Sequence, residues 1–101
     1  MGNNIGPRFT TDRLAADTAV LAQKGYLFGC LVETNGTNAV TLTLYDHASA
    51  ASGKILRKII VPGANSYGGF ELPVGIEAAN GIYADVTGTG AAFWVTYGAK
   101  S

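Results

Sequence analysis

Few side chains in this sequence are equipped for chemistry, and their spacing decides what they can do. His47 is the single histidine, with Asp46 before it and Ser49 and Ser52 after it. A hydrolytic triad gathers its members from distant positions, with the base oriented by a buried carboxylate. Asp46, His47 and Ser49 instead crowd into or beside 47–54, a small polar stretch that reads as a loop. They read as surface residues without a catalytic role. Cys30 is the single cysteine and lies between Phe28 and Val32, with no base or cation close in sequence. A thiol there reads as a small buried hydrophobe. One cysteine also excludes an intrachain disulfide and a cysteine zinc site.

Gly88-Thr89-Gly90 has the look of a phosphate loop but lacks the Lys-Ser/Thr ending and a following helix. A turn accounts for it. Tyr67-Gly68-Gly69-Phe70 reads the same way, as a turn or a close backbone approach. The acidic residues Asp12, Asp17, Glu33, Asp46, Glu71, Glu77 and Asp85 never approach the spacing of a calcium loop. No catalytic residue, cofactor or metal is expected.

The aromatics are the remaining chemical asset. Phe28 and Phe93 are expected in the core. Tyr45, Tyr83 and Trp94 fall on the strand faces opposite the aliphatic stripes. Exposed rings suit a sugar platform; they also suit a subunit interface, the preferred reading because it explains the low charge as well.

Strands must position these groups. Residues 26–33 alternate, with Tyr26, Phe28, Cys30 and Val32 on one face and Leu27, Gly29, Leu31 and Glu33 on the other. Thr34-Asn35-Gly36-Thr37-Asn38 supplies a turn, and Val40, Leu42 and Leu44 alternate after it. Residues 26–33 and 39–46 are therefore expected as a hairpin. Ile55–Val61 carries Arg57 and Lys58 among aliphatics, the pattern of an edge or interface strand. Further strands are expected over Gly68–Leu72 and, after Pro73, Val74–Ala78. Asn80-Gly81 reads as a second hairpin turn before Ile82, Ala84 and Val86, and Ala91–Tyr97 closes the series. Thr18–Leu21 reads as a strand in preference to a short Ala-rich helix over Arg13–Lys24. About eight short strands at roughly ten-residue spacing predict an all-β chain, a compact two-sheet β-sandwich of jelly-roll type. Residues 1–12 show no alternation and are expected to form an N-terminal arm, leaving 13–101 as the sandwich domain.

Composition bears on partners. The chain has 101 residues, 7 Lys+Arg and 7 Asp+Glu, and so no formal net charge. Nucleic-acid binding, which wants a concentrated basic face, is not expected. No apolar run approaches a membrane span, and no secretory leader is expected. Charged residues make up 14%, against roughly 25% in an average soluble protein. A surface this poor in charge is weakly protected against association. A chain of this size buries only somewhat over 60% of its unfolded surface, so oligomerisation is an expected source of extra stability.

One resemblance sharpens that expectation. Leu44-Tyr45-Asp46, a Ser/Gly loop, Ile59-Ile60-Val61-Pro62, Tyr67-Gly68-Gly69-Phe70, Leu72-Pro73, Gly81 to Gly90 and Val95-Thr96-Tyr97 follow in an order that resembles small virion-associated proteins of tailed bacteriophages. The resemblance spans residues 44–97, and the piece from Gly81 to Gly90 is its most specific part. It implies a structural component of the particle, of the capsid decoration or cement type. Such a protein would be made in the host cytoplasm and end in the virion. Its partners would be the major capsid protein or other virion subunits. Copies of itself are also expected, as a trimer first and a dimer second. Head, neck and tail remain open as positions. The expected protein-contact residues are Ile5, Arg8 and Phe9 in the arm, with Arg57, Lys58, Tyr67 and Phe70 in the domain. A carbohydrate- or receptor-binding module of a phage fibre is the alternative.

Overall fold

Alternating apolar and polar residues on short segments leave each strand one face to bury, and two sheets packed face to face satisfy all of them. The computed structural model describes residues 7–99 and contains eight strands and no helix among them. They are β1 (Phe9–Thr10), β2 (Thr18–Leu21), β3 (Gly25–Glu33), β4 (Val40–Tyr45), β5 (Ile55–Val61), β6 (Tyr67–Ala78), β7 (Ile82–Thr87) and β8 (Ala92–Ala99). The first sheet has the order β1-β8-β3-β6 and the second β2-β7-β4-β5. Every pairing is antiparallel. The pairs β1–β8, β2–β7, β3–β6 and β4–β5 are nested about the middle of the chain. This is the double-sheet jelly-roll order, so the expected sandwich is the observed one.

The core lies between the sheets. Leu27, Val32, Phe93 and Val95 from the first meet Val40, Leu42, Leu44, Ile82 and Ala84 from the second, all fully buried or nearly so. Burying a side chain of Leu, Val or Phe size contributes about 1.5–3 kcal/mol each. Arg57 and Lys58 lie on β5, an edge strand of the second sheet, as their mixed pattern suggested.

Three expectations need correction. Residues 26–33 and 39–46 do not pair as a hairpin: β3 belongs to the first sheet and β4 to the second. The turn itself forms, with Asn35 Oδ1 accepting from the amides of Thr37 and Asn38 and Gly36 at φ 86°. Its strands then diverge to opposite sheets, where their apolar faces meet across the core. Asn80-Gly81 likewise carries the chain between sheets. Among the described residues only β4–β5 joins consecutive strands as a paired hairpin.

Second, Pro73 does not divide its region into two strands. β6 runs from Tyr67 to Ala78, and Leu72–Gly75 bulge outward opposite the single residue Phe28. Proline needs no ladder partner at such a place. Third, the same irregularity reverses the faces of β3 before Phe28, while Cys30 and Val32 beyond it face the core as expected. Leu27 points into the core at 0% exposure, while Phe28 is buried outside the core cluster. The Phe28 ring contacts Tyr26 and lies under the Arg8 guanidinium, which sits 3.9 Å from the ring centroid.

The N-terminal segment also meets the sheet. β1 pairs with β8 at Phe9↔Tyr97 and Thr10↔Thr96. Thr11 donates its amide to Val95 at 3.0 Å, and Leu14 bridges to Phe93. Residues 9–12 of the expected arm thus run along the first sheet as its edge, and residues 1–6 lie outside the described ones.

Candidate functional site

Residues directly opposite each other in an antiparallel sheet point to the same face. The register therefore writes out the outer face of the first sheet in rows. One row is Trp94, Leu31 and Gly69 across β8, β3 and β6; the next is Thr10, Thr96, Gly29 and Glu71. Two of these seven positions are glycine, so the sheet lacks side chains there and a trough remains. Trp94, Leu31 and Tyr67 rise around it, and Thr10, Thr96 and Glu71 close the polar end. The groove is open to solvent, with a volume of about 790 Å³.

The glycines are required by backbone approach. A Cβ at Gly29 would collide with the carbonyl oxygen of Phe70, and one at Gly69 with that of Cys30. β3 and β6 are thus drawn together along the floor of the groove. Tyr67 is 67% exposed and Leu31 43%, both high for large apolar side chains. Thr10 Oγ1 and Thr96 Oγ1 lie 3.1 Å apart, joined by one hydrogen bond. Glu71 has no ion-pair partner among the described residues. An apolar wall, a bare glycine floor and a polar rim can hold a flat amphipathic object: a sugar ring, or an edge of another protein.

The second sheet presents a different outer face. Tyr45 lies opposite Tyr83, Thr43 sits between Lys58 and Asp85, and Thr41 between Ile60 and Thr87. This surface is filled by side chains at every position. Asp85 has its carboxyl raised above the usual carboxylate range, first by desolvation and then by the neighbouring negative charge of Asp17. Asp17 Oδ1 also accepts the amide of Val86 at 2.8 Å, which ties the 14–18 segment to β7.

The structure divides the expected contact residues among several places. Tyr67 stands in the groove. Arg57 and Lys58 lie on the exposed edge of the other sheet. Phe70 faces inward opposite Cys30 and packs against the core. Phe9 rests against Tyr97, with ring centroids 5.9 Å apart. Arg8 reaches over Phe28 and donates to the Pro73 carbonyl at 2.9 Å, strapping the N-terminal segment to the β6 bulge. Ile5 lies outside the described residues. The aromatic trio also separates, with Trp94 on the first sheet and Tyr45 and Tyr83 on the second. The groove residues Leu31, Thr10, Thr96 and Glu71 were not singled out from sequence. The signal that pointed there was glycine within strand segments, since it marks close backbone approach.

His47 and Cys30 have structural roles in this fold. His47 Nδ1 accepts the amides of Ser49 and Ala50, each at 3.0 Å, which organises the β4–β5 loop. Asp46 Oδ1 accepts the amide of Asn80. Burial pushes the Cys30 thiol up to about 12, which keeps it protonated and unreactive at neutral pH. Among the described residues, no three His, Cys, Asp or Glu side chains converge as a metal set. Comparison with family models, with curated proteins and with solved structures finds no match to this chain.

Proposed function

We propose that this protein is a structural subunit of a tailed-phage virion, a decoration or cement protein that stabilises the head by bridging neighbouring capsid subunits. The observation that carries the reading is the unfilled apolar relief of a surface poor in charge. Of the exposed large apolar side chains among the described residues, Leu31, Ile55, Ile60, Tyr67 and Val74 lie on the groove, β5 or β6, and Phe9 lies on β1 at the far edge of the first sheet. Exposed apolar groups concentrated towards one edge of a small domain, here on both of its faces, mark a protein contact. The resemblance of residues 44–97 to virion-associated proteins supports the same reading. Jelly rolls serve many functions, so the fold adds no more than compatibility. In this role the domain works mechanically. It adds contact area across capsid seams, and many copies make modest single affinities sum through avidity.

The test is to image the particle and locate the chain in it. Density for this domain in many copies on the head lattice is the expected result. A particle without the chain, together with purified protein that fails to bind capsids, would sink the proposal.

The groove favours a second reading, in which it holds a glycan. Trp94 and Tyr67 beside Thr10, Thr96 and Glu71 offer a stacking wall and polar groups for hydroxyls. Glycan-array binding that disappears with Trp94→Ala would favour this reading over the first.

A further inference from the structure

The β5–β6 side of the sandwich carries two strand edges that match each other when one copy is rotated against another. β5 is an edge of the second sheet and β6 an edge of the first. The chain passes from one to the other through residues 62–66, so the two strands run in opposite directions. Their relative height is set where they meet, because a Cβ on Gly68 would lie 3.1 Å from Val61 Cγ2. Counting away from that contact along both strands places Ile60 level with Gly69, and Lys58 level with Glu71. Lys58 lies opposite Thr43 on the outer face of the second sheet, and Glu71 lies opposite Gly29 on the outer face of the first. The matching residues are thus level but on opposite sides of the sandwich.

Each edge is regular over the same stretch. β5 is irregular at Leu56, and β6 bulges from Leu72 onward. The regular portions, 57–61 and 67–71, are therefore level with each other. Among the described residues neither Lys58 nor Glu71 has an ion-pair partner. Ile60 is 62% exposed, an unusual state for an isoleucine on an edge strand.

We propose that the chain forms a two-fold dimer in which β6 of each copy pairs with β5 of the other. A two-fold axis parallel to the strands keeps their heights and exchanges the two faces, so β6 meets an antiparallel β5 and both sheets become continuous across the seam. Glu71 then stands beside Lys58 of the partner subunit, and symmetry makes the contact twice. Ile60 of the partner subunit stands beside Gly69, extending the apolar row of Trp94 and Leu31. The contact is self-complementary, as a two-fold interface must be, and it uses the edge backbone as strand addition does. A two-fold axis perpendicular to the sheets would set β6 beside β6 and β5 beside β5, and at no height would it bring Glu71 against Lys58. The charge pattern selects the first arrangement. This inference goes beyond the proposed function and does not depend on it.

Sedimentation equilibrium of the purified protein tests it. The expected result is a dimer. Glu71→Lys alone and Lys58→Glu alone each set like charges together at both contacts, and each should weaken the dimer roughly tenfold or more. The double variant carrying both reversals should recover most of the loss. A Lys58→Cys, Glu71→Cys chain should form a covalently linked dimer on mild oxidation. The two cysteines of one chain cannot join each other, because sheets about 10 Å apart hold them on opposite outer faces. Circular dichroism of each variant separates loss of pairing from loss of fold. A monomer at every concentration would overturn the inference. So would a dimer indifferent to both reversals, a double-cysteine chain that stays unlinked, or a linked species larger than a dimer. None of these readouts involves a virion, so the proposed function can fail while the dimer stands, and the reverse.

Discussion

The two outer faces of the sandwich are built on the same kind of core but end in different surfaces. On the first sheet, Gly29 and Gly69 remove side chains from the middle of the face, and Trp94, Leu31 and Tyr67 stand around the gap. On the second, Thr41, Thr43, Tyr45, Tyr83 and Asp85 fill the positions evenly. The contrast teaches that a binding-shaped surface here arises by subtraction. Two missing Cβ atoms both open the groove and let β3 and β6 approach. The filled face gains cross-strand side-chain pairs instead, each contributing about 0.2–1 kcal/mol.

The largest test of this contrast is a small residue. Gly29→Ala should destabilise the fold by about 2–3 kcal/mol, because the new Cβ meets the Phe70 carbonyl and backbone cannot rotate aside. A thermal melt should fall by roughly 10 °C. Thr43→Ala, at the centre of the filled face, should cost about 1 kcal/mol. Equal costs for the two would break the comparison.

A smaller effect tests what holds the end of the first sheet beyond the groove. Arg8→Ala removes the guanidinium from the Phe28 ring and the bond to the Pro73 carbonyl. The expected loss is about 1 kcal/mol, measured by urea denaturation with an unchanged slope. No loss would show that the strap is ornamental to stability.

The smallest effect belongs to the filled face. Asp85 titrates above its unfolded value of 3.8, so the fold favours its protonated form. The stability it contributes is fully present below 3.8 and is lost as pH rises through the raised folded value. Asp85→Asn should therefore stabilise the protein at pH 7 by about 0.5 kcal/mol or less, since the site is well solvated. The gain should vanish below pH 3.8, the unfolded value. Melts of both proteins at the two pH values check the sign.

Most of the strands were legible because a two-residue period is a local property. Val40, Leu42 and Leu44 announce a half-buried strand with no knowledge of its neighbours. The pairing was not legible, because Asn35-Gly36 and Asn80-Gly81 specify a reversal of direction and say nothing of which sheet receives the chain. The faces of β3 departed from the expected alternation only up to Phe28, for a related reason, and Cys30 and Val32 face inward as expected. One bulge at Phe28 reverses every side chain before it, and the residues that stabilise it, Arg8 and Gly75, lie far away in sequence. The groove was half legible. Trp94 and Tyr67 were noticed as rings, and Gly69 as a close approach, but only the register across β8, β3 and β6 brings them together with Leu31 and Glu71.

The nesting of the strand pairs has a consequence in time. Only the β4–β5 pair closes a short loop, so it forms at small entropic cost and sets the fold line. Each later pair must join segments further apart: β3 with β6, then β2 with β7, and last β1 with β8, which unites Phe9 with Tyr97. Such a ladder of growing loops predicts folding in milliseconds to seconds, not microseconds. It also predicts unravelling in the reverse order. Amide hydrogens of the Phe9–Thr10 strand should exchange first and those of Val40–Tyr45 among the last.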